Sequence, residues 1–98
     1  MDKMAIKVLL KRQVPEDKAQ ALKELIDRLR AVTTGQPGYL SGETLRRIDR
    51  PGECLVVSKW KTRGDWNRWF EQPERAALQQ RIDDLLGSPT TYEMYEYE

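Results

Sequence analysis

Three residue groups in this 98-residue chain could do chemistry, and each is defined as much by what it lacks as by what it holds. The first is an indole cluster. All three tryptophans, Trp60, Trp66 and Trp69, and the single phenylalanine, Phe70, fall between positions 60 and 70. Trp66 and Trp69 stand three apart on a predicted helix and so share a face. Such a wall can bind a flat aromatic ring by area burial and stacking, or it can plug the end of a core. The second group is polar: Tyr39, after Pro37-Gly38, and the adjacent pair Arg46 and Arg47. Neighbours in a strand point to opposite faces, so one arginine could meet an anion or phenolate, while a rim ion pair to a second subunit is the alternative. Tyr39 is either a pocket hydroxyl or an interface residue. The third is an absence. With no histidine, the chain excludes a Ser-His or Cys-His nucleophile pair, a His-ligated zinc and a proximal-His haem. No CxxC and no glycine-rich phosphate loop occurs. No catalytic residue can be named. No metal and no cofactor is expected: with no histidine, one cysteine and no phosphate loop, a metal would need a carboxylate-only site, and adjacent Asp83 and Asp84 diverge on a helix and cannot chelate together.

The elements that must position these groups follow from punctuation and periodicity. Met4–Val14 reads as a strand with Ile6, Val8 and Leu10 on one side and Ala5, Lys7, Leu9 and Lys11 on the other. Pro15 opens a helix that runs to about Thr33, with Leu22, Leu25, Ile26, Leu29 and Val32 as one buried stripe. Gly35-Gln36-Pro37-Gly38 turns the chain into a second strand, Tyr39–Asp49. Here Leu40, Thr44 and Ile48 alternate with Tyr39, Ser41, Glu43 and Leu45. Gly42 in mid-strand marks a bulge or a close approach. Arg50-Pro51-Gly52-Glu53 is the turn of an antiparallel hairpin, and Cys54–Trp60 is a central strand, apolar on both faces. Thr62 caps the tryptophan helix. Pro73 starts a third helix, to about Leu86, whose buried stripe is Ala77, Leu78, Ile82, Leu85 and Leu86. Gly87-Ser88-Pro89 stops it, and Thr90–Tyr97 is the last strand.

This order is β-α-β-β-α-β, an α+β ferredoxin-like arrangement within a single domain, 1–98. Two helical layers cover one face of a four-stranded sheet. The other face is expected to meet a second copy, giving a homodimer. The formal charge is +1 with both signs interleaved, which argues against nucleic acid. No apolar run reaches the roughly 20 residues a membrane span needs, and Met1–Met4 opens no signal-peptide core. The lone Cys54 reads as a small buried hydrophobe. A reducing cytoplasm fits.

Pro37–Leu45 (PGYLSGETL), Pro51–Trp60 (PGECLVVSKW) and the W-x-x-W-F-x-x-P-E-R-A segment, Trp66–Ala76, together resemble the antibiotic biosynthesis monooxygenase (ABM) domain. That domain belongs to the dimeric α+β barrel superfamily, and the resemblance covers nearly the whole chain. One subgroup oxidises polycyclic phenols of anthrone type with O₂, without metal or flavin. The resemblance implies that Trp60 lines its pocket. That subgroup's asparagine position is Val56 here, and its aromatic hydroxyl falls near Trp66. A second subgroup degrades haem, and Trp69 stands where its tryptophan does. Its histidine region is Leu78-Gln79-Gln80 here, and its first-strand asparagine falls near Leu10. The resemblance therefore implies a cofactor-independent monooxygenase or related oxidoreductase acting on a small aromatic or quinone-like molecule. The alternatives are a dimeric module that binds an apolar ligand without turnover, and a stress-related protein in which the fold serves only assembly. For the first two, the expected cavity lies between sheet and helices, walled by Trp60 with Trp66 or Trp69. Arg46 or Arg47, with Tyr39 behind them, is expected to hold a substrate oxygen.

Overall fold

The computed structural model describes residues 5–98, so the expected strand start at Met4 lies outside the described residues. The elements are β1 (Ile6–Gln13), α1 (Ala19–Thr33), β2 (Tyr39–Arg46), β3 (Glu53–Trp60), α2 (Arg63–Phe70), α3 (Pro73–Leu86) and β4 (Thr91–Glu96). A short 3₁₀ turn, Glu16–Lys18, leads into α1, so the helix begins a turn later than Pro15 suggests. The four strands form one antiparallel sheet in the order β2-β3-β1-β4. This is the ferredoxin-like arrangement, with the second crossover divided between α2 and α3.

Register decides which side chains meet the helices. Ile6 pairs with Trp60, Val8 with Ser58, Leu10 with Val56 and Arg12 with Cys54. Directly opposed residues share a face, so this set forms one continuous side of the sheet. That side packs on the helices in two clusters. Ile6, Val8, Trp60, Trp66 and Trp69 pack with Leu29 and Val32 of α1. Leu22, Leu25, Ile82 and Leu86 join α1 to α3. The reverse side carries Leu9, Leu55 and Val57, half-buried, and Leu45 and Tyr95, exposed.

Three details differ from the expected pattern. In β2, register shifts by one residue between Tyr39 and Ser41, so Leu40 is extra. The bulge moves Tyr39 onto the face of Gly42 and Thr44, opposite Trp60, and not onto the face of Ser41. In α3, Ala77 is exposed, and the buried stripe instead includes Arg75 and Gln79. Arg75 donates to the Phe70 carbonyl and the Tyr92 hydroxyl, and Gln79 donates to Thr90 and Asp83, which offsets part of the cost of burying them. β2 ends at Arg46 and not at Asp49, because Arg47 folds back onto Asp49 and Glu53.

Local chemistry fixes the ends of α2. Thr62 Oγ1 accepts the Asp65 backbone N–H at 3.1 Å, and its hydroxyl donates to Asp65 Oδ2 at 2.8 Å. Arg68 ion-pairs with the other carboxylate oxygen. The start of β2 presses against this cap. Gly38 has φ 83°, and a Cβ there would fall 2.2 Å from Asp65 Oδ2. Only glycine fits both the left-handed backbone and the space.

Candidate functional site

Between the helix-facing side of the sheet and α1, α2 and α3 lies a cavity of about 480 Å³. This is within the range of small-molecule sites. Each wall has a different origin. Leu10 of β1 and Val56 of β3 form the sheet side, and Ile26 and Leu29 of α1 cover it. Trp60, Trp66, Trp69 and Tyr39 form one end. Arg12, Ser58, Arg75 and Gln79 supply polar groups.

The aromatic end is tightly packed. Trp60 is fully buried and touches Tyr39 edge-on at 5.4 Å, Trp66 edge-on at 5.6 Å and Trp69 stacked at 6.4 Å between ring centroids. Its indole N–H donates to Ser58 Oγ at 3.1 Å, and Ser58 Oγ donates to the Val8 carbonyl at 3.3 Å. Trp60 is thus core plug and end wall at once. The aromatic chain continues outward through Trp66 to Tyr92 and Phe70. Gly42 gives Tyr39 its place, because a Cβ at 42 would stand 2.4 Å from the tyrosine hydroxyl.

The polar end is built on two buried guanidinium groups. Arg12 is 5% exposed and Arg75 is 7% exposed. Arg12 Nε donates to Thr90 Oγ1 at 3.2 Å. Arg75 Nε donates to the Phe70 carbonyl at 2.7 Å, its Nη1 donates to the Tyr92 hydroxyl at 3.2 Å, and its Cζ lies over the Phe70 ring, 4.2 Å from the centroid. Among the described residues, neither is ion-paired to a carboxylate. Burial holds the Arg12 pKa below the usual guanidinium value, partly offset by Tyr92, Cys54 and Asp83. An unpaired, desolvated cation beside an apolar cavity favours an anion at that spot.

Gln79 completes the polar end. Its Nε2 donates to Thr90 Oγ1 at 2.7 Å and to Asp83 Oδ1 at 2.9 Å. Asp83 Oδ1 also accepts from the Thr90 backbone N–H and hydroxyl. A carboxylate only accepts, so these contacts fix which end of the amide is nitrogen. The Gln79 carbonyl oxygen is buried and has no hydrogen-bond partner.

Four of the six residues singled out from sequence, Trp60, Trp66, Trp69 and Tyr39, line this cavity together. Arg46 and Arg47 do not. Arg46 and Arg47 border a second groove, with Leu22 and Val14. Arg47 is held by Asp49 at 2.8 Å and Glu53 at 3.1 Å, which raises its pKa. Arg12, Arg75 and Gln79 were missed. The signal for Arg12 was present: it continues the two-residue rhythm of Ile6, Val8 and Leu10 on the buried face. Arg75 and Gln79 stand in the same helical stripe as Leu78 and Ile82. Among the described residues, no cluster of three or more potential metal ligands occurs, and no helix is long and apolar enough to cross a membrane.

The family model for antibiotic biosynthesis monooxygenase matches residues 5–81. No curated protein matches the chain. Among solved structures, a conserved protein of Methanosarcina mazei Go1 superposes with TM-score 0.89 at 20% identity, covering 99% of this chain and 96% of that one. SnoaB, a cofactor-independent oxygenase from Streptomyces nogalater, gives TM-score 0.81 at 17% identity over 96% of this chain and 93% of its own. A Mycobacterium tuberculosis protein gives 0.82 at 18% identity over 96% and 95%. At these identities the structural likenesses establish the fold.

Proposed function

The chain belongs to the antibiotic biosynthesis monooxygenase family, and from that premise we propose that it is a cofactor-independent monooxygenase acting on a small aromatic, phenolic or quinone-like molecule. One observation carries the reading beyond family membership: an apolar, aromatic-ended cavity contains buried guanidinium groups with no carboxylate partner. The ring binds against Trp66, Trp69 and Tyr39, and an oxygen of the substrate faces Arg12. Arg46 and Arg47 lie outside this arrangement, and Arg12 takes the role the sequence assigned to them.

The chemistry asks little else of the protein. Guanidinium stabilises the phenolate or enolate, so a substrate proton passes to water at the cavity mouth near neutral pH. The electron-rich anion gives one electron to O₂, and the radical pair closes a C–O bond to a hydroperoxide. Loss of water turns a ring CH₂ into a carbonyl. One oxygen atom enters the product and the other leaves as water, so no external reductant is consumed. The similarity of SnoaB, named a cofactor-independent oxygenase, supports this reading.

The test is a panel of anthrones, hydroquinones and naphthols scored by tryptophan-fluorescence quenching and by O₂ consumption. Stoichiometric uptake with a carbonyl product supports the proposal. Quenching without uptake selects a binding module instead.

A further inference from the structure

We propose that the ligand of this cavity carries two oxygens on neighbouring ring carbons, the first bound as an anion to Arg12 and the second donating a hydroxyl hydrogen to the Gln79 side-chain carbonyl. This deepens the oxygenase reading and rests on it only for turnover, because the recognition itself is a matter of binding. Arg12 and Gln79 are neighbours. Both donate to the same atom, Thr90 Oγ1, at 3.2 and 2.7 Å. Their remaining polarity is opposite. Arg12 can only donate, and the Gln79 oxygen can only accept.

Neither group is satisfied by the protein. Arg12 spends Nε on Thr90, and among the described residues its side chain has no other hydrogen bond or ion pair. Gln79 is 6% exposed, and its oxygen is buried without a partner. The amide cannot flip to relieve this, because Asp83 Oδ1 would then face a carbonyl. Thr90 cannot relieve it either, since its hydroxyl already donates to Asp83. An unmet buried acceptor beside a cation whose terminal N–H groups bond nothing in the protein is matched by one ligand edge, an oxyanion next to a hydroxyl. A vicinal dihydroxyarene in its monoanionic form presents that edge. A simple phenol leaves the Gln79 oxygen orphaned, and a methyl ether at the second position buries a methyl group against it.

The experiment is anaerobic calorimetric titration of the purified protein at neutral pH with 2,3-dihydroxynaphthalene, 3-methoxy-2-naphthol and 2-naphthol. The diol is expected to bind at least about tenfold more tightly than either other compound. Its bound absorbance is expected to show the monoanion below the pH at which the free diol ionises. Arg12→Gln should remove that anion band. Gln79→Met should bring the diol down to the methyl ether's affinity while leaving 2-naphthol unchanged. The proposal is overturned if the wild-type protein binds the methyl ether as well as the diol, if the bound diol stays neutral, or if no compound binds. These readings need no variant to fold. A parallel aerobic run with an anthrone, which carries the ring CH₂ that the oxygenation converts, separates the two levels. Diol preference without O₂ uptake from the anthrone refutes the oxygenase but upholds the recognition. Uptake from the anthrone without diol preference does the reverse.

Discussion

The Trp60 indole N–H is bonded to Ser58 Oγ, two residues back on the same strand face, at 3.1 Å. The one polar atom of the most buried indole is therefore committed inside the protein. Trp60 can offer a ligand no hydrogen bond, and its buried ring serves as backing for Tyr39, Trp66 and Trp69. Ser58→Ala should orphan that N–H in a dry core and cost about 1–3 kcal/mol. Urea denaturation checks this: the midpoint should fall with the slope unchanged.

Trp60→Ala should be much more damaging, by about 3–5 kcal/mol, because the ring is fully enclosed by Ile6, Val8 and the other two indoles. Its loss would confuse stability with binding. Tyr39→Phe is the cleaner probe of the aromatic end, since it retains the ring that meets Trp60 edge-on. It should keep the thermal midpoint within a few degrees, and a ligand titration can then be interpreted.

Arg12→Met should leave stability unchanged or raise it, while abolishing binding of anionic ligands. Burial disfavours the charged guanidinium, and its folded pKa is lowered. For a base, that direction means a folding penalty fully present below the folded pKa and relieved only as pH rises toward the unfolded value. The penalty thus operates across the whole neutral range. Thermal melts with and without ligand test it. A wild-type protein stabilised by an anionic aromatic, beside an Arg12→Met variant indifferent to it, is the expected pair.

Asp65 predicts acid sensitivity at the start of α2. Its pKa is lowered, chiefly by the Thr62 hydroxyl, against the opposing effect of burial and with further lowering by Arg68 and Lys61. A depressed carboxylate contributes stability above its unfolded pKa and loses it as pH falls through the folded one. Carboxyl NMR should find Asp65 titrating below the usual aspartate range. Thr62→Ala should move it upward.

The protein is expected to be a homodimer through the sheet face that carries Leu9, Leu55 and Val57. Light scattering should give twice the 11.5 kDa chain mass. Val57→Lys should shift it toward the single mass without disturbing the helix-side core.

The fold was legible because its signals are local and repeated. The stripe of α1, the Thr62 cap and the start of α3 at Pro73 each depend on residues within a turn or two of one another. The aromatic end was legible for a similar reason, since three indoles crowd one segment. The polar end was not. Arg12, Gln79 and Thr90 come from β1, α3 and the entry to β4, and no spacing rule joins them. A charged residue within a strand also reads by default as the wet side, and the bulge at Leu40 reversed the expected side of Tyr39. Arg46 and Arg47 drew attention through adjacency, yet Arg47 is occupied by its own hairpin acids.

The bond from Arg12 to Thr90 spans 78 positions of the chain. During synthesis the first strand emerges long before its anchor. Until Thr90 arrives, the Arg12 side chain has no hydrogen-bond partner among the described residues, and β1 has no β4 to pair with. The cavity's polar end can then form only once Thr90 has been made, well after the aromatic segment has emerged. A ligand would then act on folded chains and stabilise them, so its concentration would set resistance to unfolding as well as occupancy.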